Sequence, residues 1–176
     1  MNDSLDVERL LEGMSGGVRA YLAGLGRERP LVIGIRTGGV WLAQRLHRLL
    51  ELDEAPGTLN INFYRDDFTR IGMHPRVAPS ELPVDVNDRH VVLVDDVLYT
   101  GRTIRAALNE IFDYGRPASV TLAVLVERGG RELPIRPDVA GRQLTLAAGE
   151  SIKLTGPDPL ELVVRRASGD GPVRAS

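Results

Sequence analysis

Val91-Val92-Leu93-Val94-Asp95-Asp96-Val97-Leu98-Tyr99-Thr100-Gly101-Arg102-Thr103 is the stretch from which the rest of the chain is read. Val91 to Val94 is an apolar run without alternation, as in a strand buried on both faces of a parallel sheet. Two carboxylates, Asp95 and Asp96, stand at its C-terminal end. A turn containing hydroxyls and glycine follows, Thr100 to Thr103. Beyond it Ile104, Ala107, Leu108 and Ile111 repeat at helical spacing, and Gly115 marks a stop. The unit is strand, acidic pair, anion-type turn, helix. Ligands of open α/β sheets bind at the carboxyl ends of the strands. A helix N-terminus offers an anion free N–H groups and the positive end of a dipole. Thr100 and Thr103 add hydroxyls, and Gly101 lets backbone come close to a ligand.

The two halves of the unit want different chemistry. The turn suits a phosphate, whereas the carboxylates repel one and suit sugar hydroxyls, a metal, or both. A phosphorylated ribose has both parts. These residues resemble the motif with which type I phosphoribosyltransferases bind 5-phosphoribosyl diphosphate (PRPP). The resemblance implies an α/β fold, a mostly parallel twisted sheet flanked by helices with a long mobile loop and a small hood. It also implies that Asp95 and Asp96 hold the ribose hydroxyls and that Thr100, Gly101, Arg102 and Thr103 cradle the 5′-phosphate.

Composition leaves room for that reading and closes others. The chain has 176 residues, 43% hydrophobic and 26% charged, enough for one domain with a real core. Its net charge of −2 gives no general attraction for nucleic acid. The absence of cysteine excludes disulfides, thiolate metal sites and a cysteine nucleophile. Lys153 is the sole lysine, so no G-x-x-x-x-G-K-[ST] phosphate loop exists, and no G-x-G-x-x-G follows an early strand. No apolar run approaches the length of a membrane span and no signal-peptide pattern opens the chain, so a cytoplasmic location and no membrane partner are expected.

In chain order, Asp3 and Ser4 are candidate caps of a helix with the stripe Val7, Leu10, Leu11, Met14 and Val18, which Gly16-Gly17 should weaken or bend. Leu31 to Ile35 reads as a second buried strand. It ends in Arg36-Thr37-Gly38-Gly39, before a helix carrying Leu42, Leu46, Leu49 and Leu50. Thr58 to Tyr64 alternates as a half-buried strand, with Asn60 on the outer face. Asp66 to Leu82 lacks periodicity and reads as a lid that starts with Asp66, just after Arg65, and carries Arg70, His74 and Arg76. Ala118 to Val126 is a strand, and Glu127 to Asp138 a loop rich in Arg, Gly and Pro. Ser151–Leu154 and Leu160–Val164 form a terminal strand pair around Gly156-Pro157-Asp158-Pro159. Residues 1–166 are expected to be a single domain and 167–176 a disordered tail.

The resemblance extends from about Val32 to Val164. Tyr64-Arg65-Asp66-Asp67, the central motif, Gly115-Arg116-Pro117-Ala118, Leu122 to Val126 and Arg131-Glu132-Leu133-Pro134-Ile135-Arg136 are similar to the PyrR family. Those proteins are pyrimidine-operon regulators with uracil phosphoribosyltransferase activity. The resemblance implies that Arg36, Thr37, Gly38 and Gly39 contact the diphosphate, and that Arg65, Asp66, Arg70 and Arg76 belong to the catalytic loop and its surroundings. It places Glu127 and Arg128 on the base-binding side and Arg131, Arg136 and Arg142 among basic residues associated with RNA. It implies Mg²⁺ held mainly by PRPP, with Asp95 and Asp96 nearby. The partners it implies are PRPP, uracil, UMP and pyrimidine-operon leader mRNA, in a homodimer or higher homo-oligomer. The chain departs from the family at Gly38, where an arginine is usual, and at Met14 to Arg19, which lacks the family's Thr-Arg pair and His. Two other readings stay open: a purely regulatory RNA-binding protein with a vestigial site, and a phosphoribosyltransferase for another base.

Overall fold

The computed structural model describes residues 5–61 and 80–166. Helix α1, Val7–Gly24, is followed by strand β1, Leu31–Ile35, helix α2, Gly38–Leu49, and strand β2, Gly57–Leu59. Strand β3, His90–Leu98, leads through helix α3, Arg102–Tyr114, to β4, Ser119–Arg128, and then β5, Val139–Leu144. Strands β6, Glu150–Thr155, and β7, Glu161–Arg166, form a separate antiparallel hairpin.

The main sheet has the order β2-β1-β3-β4-β5, and every pairing is parallel. From β1 the chain steps outward to β2, then returns to the other side of β1 as β3. The strand order therefore reverses between β1 and β3, and the crevice at that switch point is where such sheets bind ligands. Alternate residues of the central strands feed two cores. Val92 and Val94 pack with α1, α2 and the hairpin, whereas Val91 and Leu93 pack with α3. Both faces are dry, so these strands read as unbroken apolar runs. Thr121, fully buried in β4, receives a hydrogen bond from the Arg27 guanidinium at 3.1 Å.

Several local expectations need correction. The cap of α1 is Asp6, whose carboxylate accepts from the Arg9 amide at 3.0 Å; Asp3 and Ser4 lie outside the described residues. Gly16-Gly17 does not interrupt α1. A β-carbon at Gly17 would come within 2.8 Å of Val139 Cγ1, so the glycine admits β5 against the helix. Asn60 is buried at 3% exposure, not outward: its amide donates to Ser80 Oγ at 2.9 Å, and Thr58 bridges Glu81. Leu49 is exposed rather than part of the core stripe of α2. Strand β5 was hidden by Gly141-Arg142-Gln143, which breaks its apolar pattern.

Candidate active site

Pairing of β1 with β3 stops at Gly34–Val94, whereas β3 stays paired with β4 as far as Leu98–Glu127. Asp95 and Asp96 therefore lie inside β3, on a length of strand that overhangs its neighbour β1. Asp95 is buried at 6% exposure. Its Oδ1 accepts from the Asp96 amide at 3.0 Å, and Asp96 Oδ1 accepts from the Val97 amide at 2.9 Å. These bonds hold both carboxylates in place.

The turn between β1 and α2 presses against this overhang. A β-carbon at Gly39 would stand 2.5 Å from the Val94 carbonyl oxygen, so only glycine allows the contact. Gly38 is equally close to the Asp96 side chain. Glycine at position 38 thus brings the β1–α2 turn and the acidic pair into contact, a close approach that an arginine side chain would have to leave.

The helix termini at the crevice differ from the one remote from it. Helix α1 has the Asp6 cap and Glu8 in its first turn. Helices α2 and α3 begin at Thr37 and Gly101 with no side-chain cap and no acidic residue in the first turn. At α3 the Thr100 hydroxyl, one residue before the cap, accepts from the Arg102 amide at 3.2 Å, and at α2 the Val40 amide donates to the Thr37 carbonyl at 3.2 Å. The other first-turn N–H groups and the positive dipole ends suit an external anion.

A cleft of about 580 Å³ opens between these parts, and Arg36, Thr37, Gly38, Asp95, Asp96 and Thr103 line it. Sequence reasoning named all six. It missed Trp41, Ile61, Lys153 and Leu154, which also line the cleft. Lys153 was noticed only as the sole lysine; a hairpin far along the chain brings it here, and no local pattern signals that. A second hollow of about 370 Å³, near the C-termini of α1 and α2, is lined by Leu22, Leu50, Leu52 and Arg27 among others and contains none of these groups.

Gly101 is also required by its backbone and by the loop above it. Its φ of 93° is left-handed, and a β-carbon there would point to Leu133 and Ile135 at 3.3 and 3.4 Å. The loop between β4 and β5 roofs the turn, with the Glu132 and Leu133 amides donating to the Thr100 carbonyl at 3.0 and 3.1 Å. Arg102 turns outward to Glu132, at 2.7 Å. The roof is tied down at Asp138, which accepts from the Tyr21 hydroxyl at 2.7 Å and the Leu122 amide at 2.8 Å. The bond to Asp138, above all, holds the Tyr21 phenol above its usual pKa.

At the end of β4, Glu127 accepts from Arg131 at 3.0 Å and from Gln143 at 2.8 Å. The Arg128 guanidinium lies 3.9 Å over the Tyr99 ring. Arg136 and Arg142 are exposed, and Arg131 is held by Glu127. Arg65, Asp66, Arg70, His74 and Arg76 lie outside the described residues. No described helix is long and apolar enough to cross a membrane.

The profile of the phosphoribosyl transferase domain matches residues 3–150. The chain belongs to the phosphoribosyltransferase family. Within it the chain falls in the PyrR group. It is 60% identical over 164 residues to the bifunctional protein PyrR of Nitrosococcus oceani, covering 92% of this chain and 93% of that protein. It is 59% identical over 153 residues to the protein of the same name from Pseudomonas aeruginosa, covering 87% and 90%. The hypoxanthine phosphoribosyltransferase of Trypanosoma cruzi superposes with a TM-score of 0.65 at 21% identity, covering 92% and 89% of the two chains. A hypoxanthine-guanine phosphoribosyltransferase of Bacillus anthracis does so at 0.63 and 18%, covering 80% and 81%. At such identities the phosphoribosyltransferases of known structure share the fold, the expected type I architecture. The domain match ends at residue 150, where the β6–β7 hairpin begins.

Proposed function

We propose that this phosphoribosyltransferase transfers the ribose 5-phosphate group of PRPP to uracil, giving UMP and diphosphate. The bond from uracil N1 to the anomeric carbon forms, the bond from that carbon to the diphosphate oxygen breaks, and the N1 proton is released. The observation that carries this reading is one cleft lined by two carboxylates between two helix N-termini whose first turns hold no acidic residue. One terminus takes the 5′-phosphate beside Thr103, and the other takes the diphosphate beside Arg36, Thr37 and Gly38. Asp95 and Asp96 bind the ribose hydroxyls and favour the positive charge that develops at the anomeric carbon. The uracil assignment rests on the likeness to PyrR proteins.

Two adjacent carboxylates fit magnesium, which takes one or two of them and fills its shell with water and substrate phosphates. When bound, magnesium neutralises charge on the leaving diphosphate.

The decisive assay incubates the full chain with PRPP and magnesium against uracil, hypoxanthine, guanine and orotate. UMP formation from uracil alone is expected; turnover of a purine without turnover of uracil overturns the assignment. Regulation of pyrimidine genes through leader mRNA belongs to the same reading. It draws on Arg136 and Arg142, concentrated by assembly of several copies, because Arg131 is already paired with Glu127.

A further inference from the structure

We infer that Lys153 is a binding residue for the diphosphate group of the phosphoribosyl donor, delivered by the β6–β7 hairpin; this rests on the reading of the cleft just given. Strand alternation buries Ile152 and Leu154 in the core beneath α2 and leaves Lys153 exposed between them. The hairpin sits at the first turn of α2. A β-carbon on Gly156, in its bend, would meet the Trp41 ring at 3.1 Å, and Trp41 and Lys153 line the same cleft. The hairpin thus approaches the diphosphate end of the site rather than the 5′-phosphate end, which the β4–β5 loop covers.

Charge points the same way. Among the described residues the cleft is lined by two carboxylates, Asp95 and Asp96, and two cations, Arg36 and Lys153. Neither cation has a salt-bridge partner among the described residues, whereas Arg45, Arg89, Arg102, Arg131 and Arg166 each pair with a glutamate. A multiply charged donor brought against two aspartates needs compensating positive charge. Gly38 contributes none, so without Lys153 a single arginine of the described lining faces the diphosphate.

The test compares the full-length wild-type protein with Lys153→Gln and Lys153→Arg. Two readouts are used: steady-state kinetics with PRPP and uracil varied separately, and calorimetric titration with magnesium diphosphate. A charge-assisted contact predicts that Lys153→Gln raises the KM for PRPP and the Kd for diphosphate by about tenfold or more. The KM for uracil should hold, and Lys153→Arg should recover most of the loss. Unchanged diphosphate affinity in Lys153→Gln overturns the inference, and so does an equal loss in both variants, which would mark a packing effect. If the wild type turns over no base, the proposed function fails, and the diphosphate titration still decides the role of Lys153.

Discussion

A β-carbon at Gly38 would lie 2.5 Å from Asp96 Oδ2, so the size of residue 38 sets the position of a carboxylate on the neighbouring strand. The Asp96 side chain is short and can swing away, at the expense of its place in the cleft. Gly38→Ala is therefore expected to keep the fold and to lower kcat/KM for PRPP by about tenfold, near 1.4 kcal/mol. Thermal melting beside PRPP-dependent kinetics checks this; an inert substitution would mean that Asp96 adopts another rotamer in solution.

Gly39→Ala should do the reverse. Its β-carbon would meet the Val94 carbonyl oxygen and the Asp95 α-carbon, and backbone within a central strand has nowhere to go. Overpacking of this kind costs about 1–3 kcal/mol. A clear fall in the denaturant midpoint is expected, and a midpoint equal to that of Gly38→Ala would refute the contrast.

Asp95→Asn and Asp96→Asn preserve size and can still accept the amide bonds that hold these side chains. Each should leave the melting temperature nearly unchanged and reduce turnover about 100-fold, the usual scale for one group stabilising transition-state charge. Near-normal turnover by either folded variant would remove that residue from the mechanism.

Gly101→Ala introduces a side chain at φ 93° and pushes it into Leu133 and Ile135. The left-handed conformation alone costs about 1–2 kcal/mol. Stability should fall, and amide exchange should quicken in the roof around Glu132 and Leu133, whose amides bond Thr100. Protection unchanged at those amides would show that the roof does not depend on this turn.

Arg166 Nε donates to Glu150 Oε1 at 2.8 Å across the base of the hairpin, and the Ala147 amide donates to Oε2 at 3.0 Å. Chiefly through Arg166, the carboxyl is held below its usual pKa. A depressed folded-state value means that the contribution is complete above the unfolded value and is lost as pH falls through the folded one. The clasp should hold at neutral pH and weaken only in acid. Carbon-detected NMR titration should place the Glu150 midpoint below that of an ordinary glutamate, and Arg166→Ala should raise it. An identical midpoint in both proteins would exclude the clasp.

The central unit was legible because doubly buried parallel strands must be continuously apolar, and β3 has that pattern from Val91 to Val94. The acids, turn and helix that follow obey local rules, so their order survives without tertiary information. Asn60 was misread because alternation assumes one wet face, and Ser80 returns to satisfy its backbone amide in a buried setting. Strand β5 was missed because its burial is set by α1 crossing it rather than by its own residues. The direction of Gly101 and the approach of Lys153 depend on segments distant in sequence, and periodicity carries no record of those encounters.

Two separate lengths of chain close over the overhang of β3 from opposite faces of the sheet. The β4–β5 loop reaches the α3 side, and the β6–β7 hairpin reaches the α2 side. Neither interrupts the ladder that carries Asp95 and Asp96. The scaffold therefore works as a fixed jaw with two replaceable plates. Grafting another loop or another hairpin can alter one end of the grip without moving the other, and the two ends can diverge independently among relatives.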